Sequence, residues 1–164
     1  MENRLVHEFE LYPFDEFKIL MEHEVNRSRR NGEPLTLIHL AVETSSSPPD
    51  MQHGAEVFAI NALNIHLRAT DIPCRKENEF RALMPSTDEA GGRIVCQRIE
   101  DLFQKEAQVY EKMSFKLFVY IGMATLSGDR SLSSNKLMNS AALAMEHARS
   151  KQLINTVAFS EMKS

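Results

Sequence analysis

Along residues 14–30, Phe14, Phe17, Met21, Val25 and Ser28 recur at three- and four-residue spacing, which predicts an amphipathic helix. Asp15 and Glu16 stand in its first turn, and Arg29, Arg30, Asn31 and Gly32 close it, in the order that the helix dipole and a stop signal require. The run 35–42 (LTLIHLAV) follows Pro34 and is almost continuously apolar, as in a strand covered on both faces. His39 inside it reads as a core histidine rather than a ligand. Residues 44–49 (TSSSPP) form a loop too short to separate two domains.

A second helix is predicted over 55–68, where Val57, Ile60, Asn64 and Leu67 share a stripe that Phe58, Ala62 and Ile65 widen. Residues 72–75 and 79–84 read as a hairpin about Lys76, Glu77 and Asn78, ended by Pro85. Ser86 and Glu89 have the spacing of a capping box before a helix with Val95, Ile99, Leu102 and Phe103 on one face. Phe115, Leu117, Val119 and Ile121 alternate with Lys116, Phe118 and Tyr120 in a further strand, and Ser127-Gly128-Asp129 reads as a turn. Leu137, Met138, Ala141, Met145 and Ala148 mark the last long helix, and residues 156–159 a final edge strand. No internal repeat interrupts this order. Helices that connect strands of mixed direction predict an α+β fold, an α/β sandwich with a palm-like mixed sheet flanked by helices.

Composition narrows the picture. A chain of 164 residues with 43% hydrophobic content suits one domain spanning residues 1–164 and excludes collagen-like, disordered and solenoid architectures. Nineteen Lys and Arg against 23 Asp and Glu leave a net charge of −4, so no global field holds a nucleic-acid backbone, and an anionic ligand must meet a local basic cluster. The acidic N-terminus and the absence of any apolar run of about 18 residues argue against a secretory signal and membrane insertion, so the expected location is the cytoplasm. Cys74 and Cys96 are too few for a disulfide framework and read as small buried thiols; the nine Met read as gap-filling core. His7, His23, His39, His53, His66 and His147 lack metal-binding spacing, and Arg27, Arg29 and Arg30 are explained by their place at a helix C-terminus.

Residues 68–80 (RATDIPCRKENEF), the segment 81–88 (RALMPSTD) and residues 93–99 follow one another as an RxxD turn, a strand, a hairpin ending in Phe, a second strand closed by Met-Pro, and a helix. This sequence resembles the diguanylate cyclase (GGDEF) domain family, and the likeness continues through Tyr120-Ile121-Gly122-Met123-Ala124 and residues 141–149. It is weakest over residues 1–33. Active members of that family condense two GTP molecules into cyclic di-GMP, one half-site per domain of a dimer. The resemblance implies two divalent metals, held by a carboxylate on the first strand and another in the hairpin, whose glycines admit the nucleotide.

This chain departs from that pattern. The first-strand acid aligns with Ala41, leaving Glu43 as the nearest carboxylate, and the hairpin Lys76, Glu77, Asn78, Glu79, Phe80 is one residue short and lacks both glycines. Glu77 brings negative charge toward the triphosphate position, and Asn78 replaces a metal-binding acid. The guanine-reading Asn is lost within residues 44–54, and Arg149 alone matches a phosphate-binding Lys. The expectation is a degenerate domain without cyclase activity, catalytic residues or bound magnesium.

The family's inhibitory product site is matched in residue type by Arg68, Asp71 and Arg98. Arginine can fork onto guanine O6 and N7 or onto phosphate, and aspartate can accept from guanine N1 and N2. The resemblance therefore implies a cyclic di-GMP receptor or regulatory module, with a homodimer or protein partner to receive the signal. The bland reading of Arg68 and Asp71 is a surface ion pair at a helix end, and a structural or dimerisation module without nucleotide, or a weakly active cyclase, are the alternatives.

Overall fold

The computed structural model describes residues 11–45, 49–127 and 133–162. His7 and the Gly128-Asp129 part of the expected turn lie outside the described residues. The elements in chain order are β1 (Tyr12–Pro13), α1 (Phe14–Asn31), β2 (Leu35–Thr44), α2 (Pro49–His66), β3 (Ile72–Lys76) and β4 (Glu79–Pro85), followed by α3 (Glu89–Lys112), β5 (Leu117–Leu126), α4 (Ser134–Ser150), β6 (Val157–Ala158) and a 3₁₀ turn (Phe159–Met162). Six strands form one mixed sheet in the order β1-β3-β4-β2-β5-β6, antiparallel at its centre and parallel at its two edges, flanked by four helices.

The period-two pattern of the central strands separates two cores. Ile38, Leu40 and Val42 of β2, with Phe80, Ala82 and Met84 of β4, turn toward α2 and α3. Leu35, Leu37 and Leu83 turn the other way, against Phe17, Met21 and Val25 of α1 and Leu137 and Ala141 of α4. Burial on both faces explains the unbroken apolar run of β2. The contact between β5 and α4 is set by Gly122: a Cβ there would stand 2.1 Å from the amide nitrogen of Met145 and 2.3 Å from the carbonyl oxygen of Ala141. Only glycine allows that approach, and it fixes α4, which carries Arg149, against the sheet.

Three local expectations are corrected. The cap of α3 is Asp88, whose carboxylate accepts from the Gly91 amide, whereas Ser86 adopts a φ of 53° and donates to Glu33. An aspartate next to the helix start outcompetes a serine two residues earlier. Helix α2 begins at Pro49, well before residue 55, because proline is tolerated in a first helical turn and Gln52 ties that turn to β2. It also ends at His66, leaving Arg68 in the following turn. Strand β1 was not expected; its two residues pair with Cys74 and Arg75, too few for a periodic signal.

Candidate functional site: a cleft at the RxxD turn and an arginine-filled hairpin

The turn after α2 is closed by Asp71. Its amide donates to the Arg68 carbonyl at 3.0 Å, while its carboxylate accepts from the Arg68 amide at 2.7 Å and from Arg68 Nη2 at 3.0 Å. The same Nη2 donates to the Pro85 carbonyl and to Thr87 Oγ1, both at 2.8 Å, so the pair also pins the β4–α3 turn. The Asp71 side chain is 2% exposed and that of Arg68 55%. This is a half-buried internal clamp joining two turns, more than a surface ion pair and different from a pair of free ligand-reading groups.

Beside the clamp lies an open cleft of about 360 Å³, lined by His66, Arg68, Asp71, Thr87, Asp88 and Arg98 among others. The structure thus brings together all three residues expected from the sequence. Arg98 reaches it from α3, exposed, with no carboxylate among the described residues within ion-pair distance. The acids that follow it in sequence are engaged elsewhere: Glu100 is buried and accepts from Thr156, and Asp101 accepts from Gln97. His66 was not expected. Burial first and the charge of Arg98 second hold its imidazole below the ordinary value, and its Nε2 is buried without a hydrogen-bond partner among the described residues. The available signal was positional, since His66 precedes Arg68 by two residues at the end of a helix.

The hairpin forms a second polar centre at the far end of β2. Lys76 pairs with Glu79, leaving Glu77 and Asn78 as a two-residue turn in which Glu77 takes a left-handed φ of 59°. Such turns favour glycine at their first position. Asn78 exchanges bonds with Val42 through both its backbone and its amide, and Arg75 pairs with Glu56 and lies 5.6 Å over the Phe80 ring. Ala41, opposite Glu79, is fully buried.

Arg149 occupies the space between the remaining acids. Its Nε is 3.0 Å from Glu43, its Nη1 2.5 Å from Glu146 and its Nη2 3.7 Å from Glu79. The Glu43 contact is one of charge only, because the Nε–H is not aligned for a hydrogen bond. Glu79 also accepts from His39 Nε2 at 2.6 Å. Burial, reinforced by Arg81, pushes the His39 pKa down to about 4, so the ring is neutral and donates. Burial alone would raise the Glu79 pKa, but His39, Arg149 and Arg81 outweigh it and hold the carboxyl below its ordinary value. His39 is therefore a core histidine with one satisfied nitrogen; its Nδ1 has no partner among the described residues. Cys74 and Cys96 are both buried and free, with burial raising their thiols to about 11 and about 12.

A mixed sheet with helices on both faces, a tight hairpin at one end and an RxxD turn at its side defines a palm-type α+β domain. Residues 52–153 match the family model described as diguanylate cyclase, GGDEF domain, and the chain belongs to the GGDEF domain family. No curated protein matches it in sequence. Among solved structures it is similar to the GGDEF domain of DgcB from Caulobacter crescentus in complex with c-di-GMP, at 13% identity and a TM-score of 0.75 over 93% of this chain and 90% of that one. The GGDEF domain of YfiN (TpbB) from Pseudomonas aeruginosa is similar at 15% identity and a TM-score of 0.72, over 92% and 97% of the two chains. The diguanylate cyclase SiaD from Pseudomonas aeruginosa, in complex with its activator SiaC, is similar at 19% identity and a TM-score of 0.74, over 95% of this chain and 64% of that one. Among the described residues no helix is long and apolar enough to cross a membrane.

Proposed function

We propose that this GGDEF domain synthesises no cyclic di-GMP and serves as a receptor for it, taking the ligand in the cleft of Arg68, Asp71 and Arg98. The carrying observation is the convergence of these three residues, from the turn after α2 and from α3, on one cleft of about 360 Å³. That volume lies within the range of small-molecule sites. Arg98 supplies uncommitted positive charge for a phosphate or a guanine edge, and Arg68 fixes the adjoining turns.

The hairpin centre supports the loss of synthesis. Two divalent cations need several oxygen ligands each, whereas Ala41 offers none, Asn78 bonds to Val42, and Glu43 and Glu79 face the guanidinium of Arg149. The residues present do not fit the metal pair. A signal read from the cleft must come from a difference in affinity between two arrangements of the domain or its partner.

Titration calorimetry with cyclic di-GMP tests the reading, with Arg98→Ala as the informative variant because Arg98 makes no ion pair among the described residues. We expect micromolar binding by the wild type and a loss of at least about tenfold in the variant. No heat with about 100 μM ligand overturns the receptor function, and product formed from GTP with magnesium or manganese overturns the loss of synthesis. The engagement of Arg68 Nη2 inside the chain favours a second reading, a structural or dimerisation module, under which Arg98→Ala changes nothing.

A further inference from the structure

The cleft's histidine has no role in the clamp. His66 ends α2, lies two residues before Arg68, and shares the cleft wall with Arg98, which comes from the neighbouring helix α3. The cleft therefore presents one committed cation at Arg68, one uncommitted cation at Arg98 and one imidazole able to become a third. Its acids are Asp71, sealed by Arg68, and Asp88, whose carboxylate caps α3. The sheet side of the cleft adds Pro34 and Met84, which carry no charge.

Resting on the receptor reading above, we propose that His66 is a further ligand-recognition residue of this cleft, which together with Arg98 selects a nucleotide phosphodiester over an uncharged nucleoside and takes up a proton as the ligand binds. In the empty cleft Arg98 opposes a second positive charge on the neighbouring ring, and His66 stays neutral near pH 7. A phosphate placed against Arg98 reverses that local field. The imidazole then gains an anionic partner, the proton comes from solvent, and no covalent bond changes. Arg68 and Asp71 neutralise one another, so the protonation state of His66 decides whether Arg98 alone or Arg98 and His66 together can hold phosphate.

The test is titration calorimetry with cyclic di-GMP from about pH 7.5 to about pH 5.5, in two buffers of different ionisation enthalpy, on the wild type and on His66→Gln. We expect wild-type affinity to rise about three- to tenfold as pH falls, with net proton uptake; one titrating group allows no more than tenfold per pH unit. His66→Gln should bind at pH 7.5 within about threefold of the wild type and lose both the slope and the uptake. Guanosine, which lacks phosphate, should bind weakly and without the slope. Binding of cyclic di-GMP that is independent of pH, or a slope that persists in His66→Gln, overturns the role of His66 while leaving the receptor reading intact. Absence of binding at every pH overturns both. Circular dichroism at each pH separates a binding change from unfolding.

Discussion

Arg68→Ala tests whether the RxxD turn is held together as the geometry implies. The substitution removes the guanidinium contacts to the Asp71 carboxylate, the Pro85 carbonyl and Thr87 Oγ1, and leaves the backbone bond from residue 68 to Asp71 in place. Asp71 is almost wholly buried and would be left with the main-chain donor of residue 68. A charge-assisted hydrogen bond contributes about 1.5–3 kcal/mol, and the half-exposed arginine calls for a discount, so the expected loss is about 1–2 kcal/mol. Urea unfolding of the wild type, Arg68→Ala, Asp71→Ala and the double variant would measure it. The coupling energy of the cycle should be at least about 0.5 kcal/mol. A single-variant loss under about 0.3 kcal/mol together with zero coupling would refute the clamp. The same experiment bears on ligand studies, because a binding defect in Arg68→Ala then mixes lost contacts with a loosened β4–α3 turn.

Two other outcomes follow from the packing. Gly122→Ala should cost several kcal/mol or prevent folding, since its methyl group would meet main-chain atoms of α4 that cannot step aside; a urea midpoint close to that of the wild type would contradict the contact. Acid should destabilise the fold through His39: the folded chain keeps this ring neutral down to about pH 4, whereas in the unfolded chain it takes up a proton near pH 6.5. Stability therefore falls as pH drops through that window, by at most about 3 kcal/mol from this group, and Glu79 adds a loss at still lower pH. Unfolding curves of wild type and His39→Gln between pH 7 and pH 4 should diverge in slope, and parallel curves would contradict a buried neutral imidazole.

Much of the architecture was legible because its elements are long and their periods agree with burial. The stripe of Phe17, Met21, Val25 and Ser28 is the buried face of α1, and both arms of the hairpin fall where the alternation and Pro85 place them. What escaped was short or settled by competition between neighbours. Strand β1 has two residues, and the cap of α3 went to the aspartate nearest the first turn. At the cleft, residue types and spacing identified Arg68, Asp71 and Arg98, but not that Arg68 spends its Nη2 on the Pro85 carbonyl and Thr87, because those partners come together only when β4 turns into α3. The same holds for Arg149. In sequence it matched a phosphate-binding lysine, and only the approach of α4 to the sheet shows it among Glu43, Glu79 and Glu146.

The turn at Glu77 separates backbone form from chemistry. Its left-handed conformation survives without glycine because the register of Lys76 against Glu79 leaves a two-residue connection no other route, at a cost of about 1–2 kcal/mol. Glu77→Gly would thus relax the turn and raise stability, while Arg149 would still hold the neighbouring carboxylates. The loop's shape and the occupancy of the site beside it can accordingly change independently of one another, and a glycine at position 77 would strengthen the turn without freeing the carboxylates that Arg149 holds.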